Sequence, residues 1–426
     1  MTDALAFTDD QRVIWLRRVA VTALLALCLV IIPILNVMEI VPDYEINRLG
    51  RYLCFAIVAL GIDLIWGYTG ILSLCQAFMF CLGGYAMAMH LSLAQGHGDV
   101  RPEYNNIPQF FFFNDISQLP GFWKPFASLP FSLAVAIGLP TIVAAFFGNF
   151  LFKGRVRGVY FSIMTQAVAL AAYLAFCRNE LLLGGTNGLT NFYRALNTKT
   201  SWVLGLYLAS LATLVLLFLL YRWLTRAPLG KVLIAIRDNE TRLRFAGYRP
   251  ETFKAFAFAL AAATAGIAGI LYVPQNGIIT PNIMRVEDSV FFVIWVAFGG
   301  RGNLWGAVIG SLIVNYFSAT ITSDAPRIWP IMLGVLFLTA VVLPDGISGL
   351  WKDLENRLRL RRNIGGPVLA LGGLVIFFVP QMLGMVPDVF EASAIGVPFK
   401  YWVLVISFAG YAFLTYRRAI FQNIHA

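Results

Sequence analysis

The feature that most restricts what this chain can fold into is a succession of long uncharged stretches separated by short basic segments. A helix needs about 20 apolar residues to cross a bilayer. Stretches of that order run near 19–38, 52–66, 70–94, 129–151, 158–177, 202–221, 255–275, 289–299, 303–322, 328–344, 366–386 and 401–416. A 426-residue chain that is 59% hydrophobic and 13% charged lacks the polar residues needed to cover a water-facing shell, since soluble domains carry about 25% charged residues. Lipid is therefore the expected solvent. The predicted fold is all-α, a polytopic transmembrane helical bundle of ten core spans within residues 1–350 and two further spans in a C-terminal extension, 351–426.

Charge placement orients the bundle. The net charge of +10 raises the question of nucleic acid, but the Lys and Arg residues cluster between apolar stretches, as cytoplasmic loops do, and no nucleic-acid partner is expected. With the N-terminus inside, the segments around Arg17, Lys153 to Arg157, Arg222 to Lys254, Arg301, Lys352 to Arg362 and Arg417-Arg418 all fall on the cytoplasmic side. The eighth stretch is short, yet without it the basic segment at Lys352 to Arg362 would be moved outside, so a crossing is expected there. The apolar run after Arg17 and Arg18 lacks a small-residue cleavage signal and reads as a retained first span.

Three glycine-rich breaks interrupt the pattern: Gly67-Tyr-Thr-Gly70, Gly184-Gly-Thr-Asn-Gly188 and Gly299-Gly-Arg-Gly302. Non-helical backbone at membrane depth is tolerated where it packs in protein or lines a wet cavity, and transporters place their paths there. A polar outside segment, 95–128, carries Pro102, Pro108, Pro120 and Pro125 with the aromatic cluster Phe110 to Phe113, which suggests packing at the membrane surface.

Covalent chemistry is not indicated. Gly230-Lys231 lacks the upstream glycine of a phosphate-cradling loop, so the chain is not expected to hydrolyse ATP by itself. His90, His97 and His425 are scattered, and Cys28, Cys54, Cys75, Cys81 and Cys177 read as small packing residues; neither a metal nor another cofactor is expected.

The strongest functional signal is the cytoplasmic stretch from Arg226 to Lys254. Leu229, Val232, Leu233, Ile236 and Leu243 fall at helical spacing on one face, and Arg237, Glu240 and Arg244 on another. Pro228 and Gly230 mark the entry of this short helix, and Gly247 with Pro250 its exit. The Asp238-Asn239-Glu240 run argues for a protein partner over anionic lipid.

These features resemble the permease subunits of the branched-chain amino acid and urea-type ABC importers. The matching stretches are Gly67-Tyr-Thr-Gly-Ile-Leu-Ser-Leu-Cys-Gln76, Arg155-Val-Arg-Gly-Val-Tyr160, Gly184-Gly-Thr-Asn-Gly-Leu189 and Arg226 to Gly247, then Ala265-Gly-Ile-Ala-Gly269, Thr280-Pro281, Gly299-Gly-Arg-Gly-Asn-Leu-Trp-Gly306 and Leu343-Pro-Asp-Gly346. The resemblance covers about residues 50–350 in family order; Cys75 stands where glycine is usual, and the spans after about 363 extend beyond the usual end. It implies a permease domain at 1–350 that pairs with a second homologous permease subunit, two cytoplasmic ATPase subunits and an extracytoplasmic solute-binding protein within the inner-membrane lipid. The helix at 229–247 would then be the element that couples to the ATPase, through Arg237, Asp238, Asn239, Glu240 and Gly247.

Polar residues inside spans are costly and often functional. Asp63, Gln76, Gln166 and Asn315 stand out, and Asp63, Gln76 and Gln166, with Asn187 of the second break, are the expected lining of a translocation path. Gly83-Gly-Tyr-Ala-Met-Ala-Met89 and Leu119-Pro-Gly-Phe-Trp-Lys-Pro-Phe126 resemble the urea-type subgroup, which makes urea or a short-chain amide the expected solute and a branched-chain amino acid the alternative. A secondary transporter is a further alternative; it would be expected to carry more ionisable residues deep in its spans.

Overall fold

The computed structural model describes residues 32–94, 118–156, 158–190, 200–324 and 329–342, together with Pro108, Phe111, Gly346 and two dipeptides near 393–398. Its helices are α1 (Asp43–Ile62), which continues as a π-helical turn over Asp63–Tyr68, α2 (Gln76–Ala94), α3 (Leu129–Lys153), α4 (Val159–Phe176), α5 (Thr200–Arg226), α6 (Pro228–Phe245), α7 (Pro250–Asn276), α8 (Val286–Gly299), α9 (Leu304–Asp324) and α10 (Trp329–Val342). Among the described residues, seven helices are long and apolar enough to cross a bilayer: α1 with its π turn, α2, α3, α4, α5, α7 and α9. The expected all-α bundle is thus observed among the described residues. Of the expected ten plus two spans, several lie wholly or partly outside the described residues or form shorter helices. Of the first expected span only residues 32–38 are described, with a short helix at Ile32–Val37, and the two spans expected after 363 lie outside the described residues. α8 and α10 have 14 residues each, about 21 Å at 1.5 Å per residue, against a hydrocarbon core of about 30 Å.

The chain divides into two compact units, residues 46–293 and residues 1–45 with 294–426. In the first unit α7 is the hub, packed against α2 and α3. Burial of apolar surface drives helices together poorly when the solvent is lipid, so close backbone approach has to supply the attraction. Glycine provides it here. A Cβ on Gly83 of α2 would lie 2.3 Å from the Gly266 carbonyl oxygen of α7, and one on Gly269 would lie 2.2 Å from the Phe80 oxygen. Around this contact the half-buried Phe55 and the buried Phe80, Tyr272 and Phe292 form an aromatic cluster with ring centroids 5.1 to 6.3 Å apart. Gln275, buried in the last turn of α7, donates through Nε2 to Ser210 Oγ of α5 at 2.8 Å, fastening a third helix to the hub. At that end of α7 the two-residue strands β1 (Leu189–Thr190) and β2 (Ile278–Ile279) pair antiparallel.

The faces of α3, α4 and α5 are mostly uncovered, with 22 to 28% of each span buried, as suits helices whose neighbours are lipid or another subunit. Large apolar side chains such as Phe146, Phe150, Ile163 and Leu216 point outward from them. In the second unit, α9 packs on the end of α8 through the same device: a Cβ on Gly299 would lie 1.8 Å from the Gly306 oxygen. Gly300 and Gly302 both hold positive φ, 108° and 76°, which makes the third glycine-rich break a tight turn. Asn315 donates to the Ser311 carbonyl of its own helix at 2.7 Å, so its side chain is spent on α9 itself.

Candidate coupling and translocation site

The first break is an excursion of backbone between two buried helices. The 26-residue run of α1 ends in a π-helical turn at Asp63–Tyr68, Gly70 takes φ of 75°, residues 71–75 are non-helical, and α2 begins at Gln76. Backbone groups at membrane depth need partners, because lipid offers none. They are found on α4 and α8. Ser162 Oγ donates to the Leu72 carbonyl at 2.8 Å and Thr165 Oγ1 accepts from Leu74 N–H at 3.1 Å. Ala77 N–H, in the first turn of α2, donates to Ser289 Oγ at 3.4 Å. The expected path lining of Asp63, Gln76, Gln166 and Asn187 does not include Ser162, Thr165 or Ser289. A Ser-x-x-Thr spacing inside an apolar span is the signal that could find the first two, since it puts two hydroxyls on one helix face.

Gln76 is 1% exposed, and its Nε2 has no hydrogen-bond partner among the described residues. Asp63 is fully buried in the π turn. Gln166 is half-buried on α4, one residue beyond the Thr165 that holds the break. Asn187 is exposed in the 3₁₀ turn Gly185–Asn187, beyond the end of α4 remote from the break. Asp63, Gln76 and Gln166 therefore belong to the neighbourhood of the first break, and Asn187 stands apart from them.

The amphipathic segment after α5 forms α6, with Pro228 at its first position. Its apolar face is the expected one: Leu233 and Ile236 are buried, and Leu229, Val232 and Leu243 half-buried. Burying each of the first two contributes about 1.5–3 kcal/mol. The expected single helix is broken, however. Asn239 adopts φ −159° and ψ 92°, and its Oδ1 accepts from Arg242 N–H at 2.9 Å, three residues on. Asn239 is thus an N-cap that starts a second short helical segment; periodicity does not register a change of direction between two turns of the same period. Gly247 holds φ of 86° with nothing within 4 Å of a built Cβ, so its requirement is conformational and not steric.

The polar side of α6 is divided by use. Arg237 reaches inward: Nη1 donates to the Gly67 carbonyl of the first break at 2.8 Å, while Nε pairs with Asp238 at 3.2 Å. Glu240, expected on an outer polar face, is drawn in, with a side chain 12% exposed. It bonds Lys254 of α7 at 2.7 Å and Arg244 at 2.9 Å, and Arg244 also pairs with Glu251 at 2.5 Å. The Glu240 carboxylate accepting its hydrogen bond holds the Arg244 guanidinium above the ordinary arginine value, and the Glu251 charge adds to this. A cation raised in this way contributes stability below its unfolded value, hence throughout the physiological range. Lys254, 5% exposed, also lies 5.4 Å over the Phe152 ring. The face left to solvent carries Lys231, Asp238, Asn239, Thr241 and Arg242, together with Phe245, 88% exposed, and Tyr248. A bare Phe beside mixed charges is a protein-docking composition.

Residues 46–341 match the family described as branched-chain amino acid transport system / permease component. The chain is 25% identical over 322 residues to the high-affinity branched-chain amino acid transport system permease protein LivM of Escherichia coli K12, a match covering 69% of this chain and 67% of that protein. It is 27% identical over 266 residues to the probable branched-chain amino acid transport permease protein LivM of Methanocaldococcus jannaschii, covering 61% and 75%. To the ribose import permease protein RbsC of Haemophilus influenzae it is 20% identical over 232 residues, covering 53% and 71%. No solved structure matches the chain. The family is one of permease components and not of enzymes, and its members, like this multi-pass chain, are inner-membrane proteins. With the matched region spanning most of the described helices, the chain belongs to the branched-chain amino acid transport system permease family.

Proposed function

We propose that this chain is the permease subunit of an ATP-driven importer of branched-chain amino acids, with its path beside the break at 63–76 and α6 as the element that receives movement from a cytoplasmic ATPase. The observation that carries the reading is the hydrogen bond from Arg237 to the Gly67 carbonyl. It ties a helix with an exposed, protein-docking face directly to the π-helical turn that opens the break between two buried spans, so displacement of one end is felt at the other. Arg237, Asp238, Asn239, Glu240 and Gly247 act in coupling, the first and fourth by holding α6 to the break and to α7. Asp63, Gln76 and Gln166 line the path and Asn187 its far mouth. The partners are a second homologous permease, two ATPases and a solute-binding protein outside the cell. The basic corners at Lys153 to Arg157 and Arg222 to Lys254 face the cytoplasm.

For the solute, the matches named for branched-chain amino acid transport favour that cargo, and the urea-type expectation drawn from Gly83 to Met89 and from Leu119 to Phe126 gains no support from them. The test is uptake of labelled leucine and labelled urea at micromolar concentration by cells with and without the gene. Loss of leucine uptake alone is expected. Loss of urea uptake with leucine unchanged would restore the urea reading.

A further inference from the structure

A cavity of about 150 Å³ lies where the first break, α6, the start of α7 and the α3–α4 turn meet. A cavity of about this size lined by apolar side chains accepts a benzene-sized molecule. Its lining has two chemistries. One wall is apolar, made by Ile71, Ile236, Phe152 and Phe161, the last two stacked at 4.8 Å. The other is charged, made by Arg237, Glu240 and Lys254. Of the Arg237 nitrogens, Nε is used by Asp238 and Nη1 by Gly67; Nη2 has no hydrogen-bond partner among the described residues. Arg237, paired with Asp238 through Nε, keeps Nη2 for an acid group, the Glu240 carboxylate, which also accepts from Lys254 and Arg244, attracts an ammonium beside it, and the apolar wall favours a compact branched tail.

We infer that this cavity is a cytoplasm-facing regulatory site for a branched-chain amino acid, whose occupancy holds α6 on the break and slows further import. The inference rests on the proposed orientation and cargo. The carboxylate docks on Arg237 and the ammonium on the Glu240 side, with the tail against Phe152, Phe161 and Ile236. A ligand shifts a conformational equilibrium toward the state it binds better. One that touches α6, α7 and the break together binds only while they are packed as here, so it opposes the displacement that coupling requires. Accumulated cargo then restrains its own importer. Urea lacks the tail and inorganic anions lack both tail and ammonium, so neither competes for the site.

The test has two arms. Full-length permease in lipid nanodiscs, without other subunits, is titrated with labelled leucine, and the assembled importer in vesicles is assayed for initial uptake with and without millimolar leucine inside. Millimolar binding is expected for wild type and for Val156→Ala, which opens the cavity wall, and not for Val156→Trp, which fills it. Internal leucine should slow wild-type uptake several-fold and leave the Val156→Trp rate ratio near one. Should Val156→Trp fail to insert, Arg237→Gln replaces it, with an affinity loss of about tenfold expected, as for a charged hydrogen bond worth about 1.5 kcal/mol. Unchanged leucine affinity in the tested variant, or no leucine binding by wild type, overturns the site. Uptake of leucine by empty vesicles reports separately on the proposed function, because it can persist when both binding and internal inhibition are absent.

Discussion

Removing the Glu240 carboxylate tests how α6 is fastened. In Glu240→Gln the Lys254 ammonium, 5% exposed at the foot of α7, loses an ionic partner 2.7 Å away. Breaking a buried pair from one side costs about 3 kcal/mol, while replacing both partners by uncharged groups of similar size is close to neutral. Arg244 loses one contact and keeps Glu251 at 2.5 Å, so it adds only about 0.5 kcal/mol. Glu240→Gln and Lys254→Met should therefore each destabilise the protein by about 3 kcal/mol, and the double variant should be only about 1 kcal/mol less stable than wild type, a coupling energy of about 5 kcal/mol. The assay is equilibrium unfolding of the full chain in micelles, with uptake measured in parallel. A double variant as unstable as the sum of the two single ones would refute the reasoning, because it would mean that the pair contributes nothing as a pair.

Gly83→Val should prevent folding or insertion, since its side chain would enter the backbone of Gly266, whereas Gly138→Ala, with nothing within 4 Å, should leave expression and uptake within measurement error. Asn239→Ala should lose about 1 kcal/mol through the missing cap on the second segment of α6, and Asn239→Ser should restore it in the same unfolding assay. Cysteine placed at Thr241 should react with an impermeant reagent only after the cells are opened, and cysteine at Thr186 in intact cells. Both positions are exposed; the opposite pattern would invert the topology.

Much of this fold is legible in the sequence because lipid imposes a simple rule on it: uncharged stretches of helical length form helices, and charge marks their ends. The first break is legible from Gly67 and Gly70, and the buried face of α6 from the spacing of Leu233 and Ile236. What escapes depends on partners distant in the chain. Nothing near Glu240 says that it meets Lys254 rather than water, and nothing near Gly67 says that its carbonyl meets Arg237, 170 residues away. The hydroxyls of Ser162 and Thr165 escape because a lone Ser or Thr in a span most often bonds its own helix, as Thr213 does to Ala209. Residue type alone groups Asn187 with the path, and the end of α4 carries it away from Gln76.

The coupling claim is tested most directly by Arg237→Ala in the importer reassembled with its partner subunits in vesicles, with ATP hydrolysis and leucine uptake measured on the same sample. Loss of a charged hydrogen bond worth about 1.5–3 kcal/mol between α6 and the Gly67 carbonyl should lower uptake by about ten- to a hundredfold per ATP hydrolysed, while hydrolysis continues. Uptake and hydrolysis that remain in the wild-type ratio would contradict the account.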